Sequence, residues 1–379
     1  MECVTHLSKT IKSYQYLNDN CLCDVKKLNT GYDMFFGNGA IFLSHKVFEN
    51  IQKSIALVEA RIKDQSNTKV NGGILMSYDF HIDGDIPKLI EINTNAGGIF
   101  LNHELALLEK HCCGNTKSQN VSNFEQKIVQ MFRNEYGKKG ETGGKLKTVA
   151  IMDENIQTQF LYPEILMCKE VLEKDGIRVF VVDSQDIEVK DGVAYCDKIK
   201  IDLIYNRNTD FYFENKGNRK FLQVLKDNKT IISPSPEDHF VFADKKNLVV
   251  LSHDENLKDI IPQTILVHKE NQEIIWSNRK KYFFKPLNGY GGRGSYNGAG
   301  LTKKVWENIL MSQYVAQEIV LPNRKLMKID GGKDFFKFDI RAYTYNGEVL
   351  LLASRVYQGQ TTNFRTKGGG FMPVFLTED

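Results

Sequence analysis

The spacing of apolar residues changes period several times along the chain. Across residues 44–63, Val47, Ile51, Ile55, Val58 and Ile62 recur at steps of three and four. That spacing lines one face of a helix. The pattern then shortens to a strand candidate over 73–82, a turn at Asp83-Gly84-Asp85, and a second strand over 88–93. Asp-Gly between two apolar runs predicts a hairpin. Thr94-Asn95-Ala96-Gly97-Gly98 reads as a loop. Residues 114–146 hold a predicted helix flanked by polar linkers. Ser122-Asn123-Phe124-Glu125 has the form of a capping box ahead of Ile128, Met131 and Phe132. The glycine- and lysine-rich stretch 137–144 reads as a flexible connector and the best domain boundary.

A strand–helix–strand order comes next, over 149–152, 163–174 and 177–183, and reads as a small Rossmann-like unit. A hairpin around Asp191-Gly192 leads to an apolar run ending in Tyr205-Asn206-Arg207. No dinucleotide fingerprint follows the first of these strands, which argues against a nicotinamide site. Beyond Pro236 the pattern predicts a strand-rich region, including a hairpin closed by Asn346-Gly347. The expected units are 1–113, 114–146, 147–235 and 236–379.

Composition narrows the class without naming a chemistry. At 379 residues the chain is too long for one simple core, so two or three units sharing a cleft are expected. The net charge of +3 lacks the basic excess of a dedicated nucleic-acid binder. No apolar run reaches membrane-span length, and the first residues lack the form of a signal peptide. Seven cysteines, an odd number, do not suggest a disulfide framework, and neither close pair has the gap of a zinc knuckle. Reduced thiols and a cytoplasmic location are the expectation. The sequence leaves a homodimer open.

Three segments could carry chemistry. In the first, Lys285 ends a strand and Gly289, Gly291, Gly292 and Gly294 come after it. Glycines let backbone N–H groups converge on phosphate oxygens, although no Walker A ending closes this loop. In the second, Glu91 and Asn93 share one face of their strand, within reach of Asp79 on the paired strand. Three oxygen-bearing side chains, two of them acidic, suit a hard cation such as Mg²⁺. In the third, Arg341, Arg355, Arg365 and Lys367 concentrate positive charge on one hairpin and loop, as an anionic transition state requires. The competing readings are a glycine-rich hairpin, a polar strand face and a solvated basic face.

Together these segments resemble the ATP-grasp superfamily, most closely its glutathione synthetase type. Asp244-Lys245 with Ile261-Pro262-Gln263-Thr264 resembles the opening of the ATP-grasp domain. Phe284-Lys285-Pro286-Leu287-Asn288-Gly289-Tyr290-Gly291-Gly292 resembles its flexible phosphate loop. Val315-Ala316-Gln317-Glu318-Ile319-Val320 resembles the adenine-reading strand. Asp339-Ile340-Arg341 and Ser354-Arg355-Val356 resemble the next two strands, and Arg365-Thr366-Lys367-Gly368-Gly369-Gly370 the loop that faces the reacting phosphate. Family members then continue through a helix to an acidic strand pair ending in Glu-x-Asn. Here that piece occurs near the start, as the 44–63 helix and Asp79, Glu91 and Asn93. The resemblance therefore implies an α/β (α+β) ATP-grasp fold, circularly permuted, with 147–235 as the Rossmann-like pre-ATP-grasp domain. It also implies that Asp379 ends near the start of the 44–63 helix. Two departures are Asn288 and Gly289, where some relatives place a metal-ligating Glu, and Lys367, where many have Asn.

The resemblance implies a ligase that uses ATP and Mg²⁺ to join a carboxylate to an amine through an acyl phosphate, with an amino acid or short peptide as substrate. It gives the metal to Asp79, Glu91 and Asn93. It gives ATP to Lys245, Lys285, Gly289, Gly291, Gly292, Gln317, Glu318, Ile319, Val320 and Asp339. Catalysis falls to Arg341, Arg355, Arg365 and Lys367, and substrate contacts to Arg207, Asn95 and Asn363. A phosphotransferase on the same fold and a non-catalytic nucleotide-binding module are the alternatives.

Overall fold

The computed structural model describes residues 35–37, 40–66, 70–112, 117–118, 123–139, 144–289, 291–329, 332–362, 364 and 366–377. The strands are β1 (Ile41–Ser44), β2 (Met76–Asp83), β3 (Ile86–Asn93), β4 (Lys117–Ser118), β5 (Thr148–Asp153), β6 (Arg178–Asp183), β7 (Glu188–Lys190), β8 (Val193–Cys196), β9 (Ile199–Lys200), β10 (Leu203–Asn206), β11 (Ile231–Ser233), β12 (Thr264–Leu266), β13 (Tyr282–Pro286), β14 (Tyr296–Asn297), β15 (Tyr314–Glu318), β16 (Asn323–Ile329), β17 (Gly332–Tyr345), β18 (Glu348–Tyr357) and β19 (Gly370–Thr377).

The largest sheet has the order β1-β19-β18-β17-β2-β3, with β16 pairing to β17 and β4 to β19. Its register comes from alternation. Met76, Tyr78, Phe80 and Ile82 of β2 share one buried cluster with Ile340 and Ala342 of β17, Leu352 and Val356 of β18, and Met372 and Val374 of β19. The helix His45–Gln65 closes that face with Val47, Ile51, Ile55, Val58 and Ile62, the stripe its sequence predicts. Its first turn is capped by Ser44, whose side chain accepts from the Val47 N–H at 3.3 Å. Every intervening residue of β2 and β17, Asp79 and Arg341 among them, must then face the other way.

Both ends of the described chain meet at one edge of this sheet. β1 runs parallel to β19, with Ser44 opposite Thr377, and the Thr377 hydroxyl donates to the Leu43 carbonyl at 3.3 Å. The helix His45–Gln65 therefore begins beside the end of β19. Asp379 itself lies outside the described residues.

A second sheet, β11-β10-β5-β6, is all parallel. The helix Tyr162–Lys174 connects β5 to β6, and Phe124–Lys139 packs with it on the same side. This is the Rossmann-like unit. The helix Phe124–Lys139 is preceded by Asn123 at positive φ, and Ser122 of the expected capping box lies outside the described residues. A third, antiparallel sheet, β12-β15-β13-β14, covers the glycine-rich segment. The region after Pro236 is less strand-rich than its sequence suggests. Helices Lys245–Leu251, Gln272–Asn278 and Lys303–Leu310 fall within it; two of them are only seven residues long, too short for a periodic signal to stand out. The helix Ile99–Cys112 is also absent from the sequence reading, because apolar residues on most of its sides blur the periodicity.

Candidate active site

The polar face of the large sheet gathers the predicted charged residues. Arg341 is opposite Asp79 across β17 and β2, Asp79 is opposite Glu91 across β2 and β3, and Ser77 is opposite Asn93. Arg355 is opposite Asp339 across β17 and β18. Asp79 is 1% exposed. Arg341 clamps it with Nε to Oδ1 and Nη2 to Oδ2, both at 2.7 Å. Arg355 Nη2 donates to the same Oδ2 at 2.7 Å, and also to Asp339 Oδ2 at 2.7 Å. Burial alone would raise the Asp79 carboxyl, but Arg341 and then Arg355 outweigh it and hold it at about 2. The result is an alternating charge network inside one sheet, saturated at its centre.

A second set of contacts crosses to the glycine-rich region. The Lys245 ammonium lies 3.1 Å from Glu91 Oε1 and donates to the Gly289 carbonyl at 2.9 Å. Lys245 is placed by Asp244, which caps its helix. Lys285 at the end of β13 donates to the Ile90 carbonyl at 2.9 Å and to Gln317 Oε1 at 2.7 Å. Burial pushes Lys285 down to about 8, against the upward pull of Glu91. Burial would raise Glu91, but Lys245 and then Lys285 bring it below its ordinary value, so it is ionised. Gly291, Gly292 and Gly294 all have positive φ, backbone that only glycine adopts freely in succession. Glu91 thus meets Lys245 and, through it, the glycine loop across a cleft between the two sheets, with Asp79 buried one strand behind.

The remaining predicted residues are more scattered. Gln317 is buried with its carboxamide turned to Lys285. Glu318 and Ile319 lie at the end of β15, and the Val320 carbonyl meets His81 Nδ1 at 2.8 Å. Arg207 reaches the loop after β3 and donates to the Ala96 carbonyl at 3.1 Å. Asn95 Oδ1, in that loop, is buried with no hydrogen-bond partner among the described residues. Lys367 is exposed on the loop before β19. Asn363, Arg365 and Tyr290 lie outside the described residues. Sequence reasoning missed two supports. Glu164 of the helix Tyr162–Lys174 is buried and accepts from the Gly98 N–H at 2.7 Å. Thr362 donates to Asp339 Oδ2 at 3.1 Å. A lone Glu in a helix and a Thr in a loop carry no signal of such partners.

No protein-family model matches the chain, and a search of curated proteins finds no match. Solved structures do match. A glutathione synthetase-like effector from Globodera pallida, in its apo form, superimposes with a TM-score of 0.61 at 10% identity, covering 100% of this chain and 98% of its own. The chain has the ATP-grasp fold. A Methylobacillus flagellatus protein described as a putative gamma-glutamylcysteine synthetase matches at TM-score 0.51 and 11% identity, covering 82% of this chain and 81% of its own. In this fold the charged residues meet in the cleft where the large sheet faces the β12–β15 sheet.

The donor set at the Glu91 end has the character Mg²⁺ prefers: an ionised carboxylate, 29% exposed at its side chain, beside an amide. Asp79 is anionic, but both its oxygens already accept from guanidinium groups. It can join a metal only by sharing them. Among the described residues no group of three His, Cys, Asp or Glu side chains is arranged to hold a metal ion. The cleft therefore suits a cation that completes its shell with phosphate and water.

Proposed function

We propose that this chain is an ATP- and Mg²⁺-dependent ligase that activates a carboxylate as an acyl phosphate and joins it to an amine, with an amino acid or short peptide as substrate. The observation that carries this reading is the juxtaposition of Glu91 with Lys245 and Lys285 across the cleft, backed by the Arg341–Asp79–Arg355–Asp339 network. Four cations there face three carboxylates. The excess positive charge fits a polyphosphate.

Lys245 and Lys285 would bind phosphate oxygens, the latter giving up its contact with the Ile90 carbonyl. The backbone of Glu318, Ile319 and Val320 would line the base. Mg²⁺ held by Glu91 and Asn93, with Asp79 behind them, would neutralise phosphate charge. Arg341 and Arg355, fixed in place by Asp79 and Asp339, are preorganised donors for charge that develops on the phosphoryl group and the tetrahedral intermediate. Arg365 and Lys367 would act from the loop before β19, and Arg207, Asn95 and Asn363 on the substrate. Closure of the glycine loop would exclude water from the acyl phosphate. The meeting of Thr377 with Ser44 supports reading the chain as a circular permutation, in which the acidic hairpin precedes the nucleotide segment.

The test is ADP release from Mg·ATP across a panel of amino acids and dipeptides, with mass analysis of products. A new amide with stoichiometric ADP is expected. A phosphoester would assign a phosphotransferase instead, and no ATP turnover or binding would leave only a protein fold.

A further inference from the structure

The segment between β18 and β19 touches three parts of the molecule. Thr362 donates to Asp339, the residue that holds Arg355. Thr361 lies under the glycine loop, so closely that a Cβ built on Gly292 would stand 2.9 Å from the Thr361 Cβ. Phe364 packs edge-on against Phe371, with centroids 4.7 Å apart, and also meets Phe160 of the Rossmann-like unit at 6.1 Å. Phe160 also contacts Phe35 at 4.7 Å, and Phe364 packs on the small apolar cluster of Phe35, Phe36, Leu101, Leu105 and Phe371. The described residues of this connection form no strand or helix, so contacts such as these must offset the backbone entropy that opposes a single conformation. Phe364 supplies its apolar anchor. Phe160 is 41% exposed, so its ring contributes little to any core, yet it is placed on that anchor.

We propose that Phe160 is a positioning residue for the phosphate end of the cleft: by packing on Phe364 it holds Thr362 on Asp339 and Thr361 beneath Gly292. The Rossmann-like unit is thereby tied mechanically to the nucleotide loop. The inference rests on the reading of this cleft as a nucleotide site, and it adds a residue that touches neither nucleotide nor metal.

Binding of Mg·AMPPNP and of AMP, measured by calorimetry well below the melting temperature, tests it. AMP shares the base-lining strand but lacks the phosphates that reach Gly292 and Arg355. Phe160→Ala should weaken Mg·AMPPNP by about three- to tenfold, as coupling residues remote from a ligand do, and leave AMP within about twofold, the scatter of an uncoupled site. Phe160→Tyr, which keeps the ring, should restore wild-type affinity. Equal weakening of both nucleotides, or no change in either, overturns the proposal, since a general loss of structure would not discriminate between them. If the wild type binds neither nucleotide, the cleft is not a nucleotide site, and the positioning role falls with it.

Discussion

On one face of the large sheet Tyr78 and Phe80 are sealed beneath the helix His45–Gln65; on the other, their neighbour Asp79 sits among arginines. The same strands build both faces, and period two alone assigns each residue to one of them. The polar face then divides again. At its centre both oxygens of buried Asp79 are taken up by Arg341 and Arg355. Its rim, Glu91 with Lys245 and Lys285, is bonded across the cleft to groups that a ligand can replace. Stability and ligand affinity should therefore separate: the centre carries the first and the rim the second.

The strongest way to break that division is at the centre. Asp79→Ala takes away the carboxylate shared by buried Arg341 and half-buried Arg355, leaving Arg341 without its anionic partner. Removing one partner from a buried ion network costs about 3–5 kcal/mol, so a large fall in melting temperature is expected. Acid should act on the same group. A carboxyl held at about 2 in the fold, against an ordinary 3.8, adds stability that is complete above about 4 and disappears as pH falls toward 2. Chemical denaturation across that range measures it. An Asp79→Ala protein as stable as wild type would show that the network is not what holds this face.

At the rim the expectation reverses. Lys285→Met removes a lysine whose burial already disfavours its charge, so the melting temperature should stay within about 2 °C, the shift that roughly 1 kcal/mol produces in a chain of this length. Affinity for Mg·ATP should fall by about tenfold to a hundredfold, the usual worth of a charged hydrogen-bond donor. Parallel melting and calorimetry distinguish the two effects. A collapse in stability without a specific loss of affinity would place Lys285 with Asp79.

These two residues also show how far the sequence could be read. Alternation in Met76-Ser77-Tyr78-Asp79-Phe80 determines which of its side chains share a face, and the Asn346-Gly347 turn sets the hairpin register that pairs Asp339 with Arg355; the pairing of β2 with β17, which brings Asp79 to Arg341, is long-range and is not set by any turn. The pairing of Glu91 with Lys245 spans more than one hundred and fifty positions, and only the family resemblance suggested it. That Asp79 would be saturated by two arginines was not legible at all, since residue types that suit a metal suit an ion pair equally well. Glu164 and Thr362 were invisible for a related reason: their partners are a backbone N–H and a carboxylate set by tertiary packing.

The pH dependence of binding sharpens the rim. Without ligand, Lys285 loses its proton near 8, so above that value nucleotide binding must first recharge it. Affinity for Mg·ATP should then weaken toward tenfold per pH unit, the slope of one linked proton, or about 1.4 kcal/mol. Lys285→Arg keeps its charge throughout this range and should flatten the profile. Wild-type and arginine profiles of the same slope would assign the titration to another group.

The smallest effect tests whether the two faces are independent. Ser44 caps the helix that closes the apolar face and stands beside Thr377 at the edge of the sheet. Ser44→Ala leaves the Val47 N–H without its acceptor and should cost about 1 kcal/mol. The cap lies on the helix side of the sheet, away from Glu91 and Lys285, and changes at separated sites usually add. Affinity for Mg·ATP should therefore be unchanged within about twofold while the melting temperature drops. Weakened binding in this variant would mean that strain on the helix reaches the cleft through the shared strands, and the sheet would then have to be treated as one mechanical element rather than a wall with two separate sides.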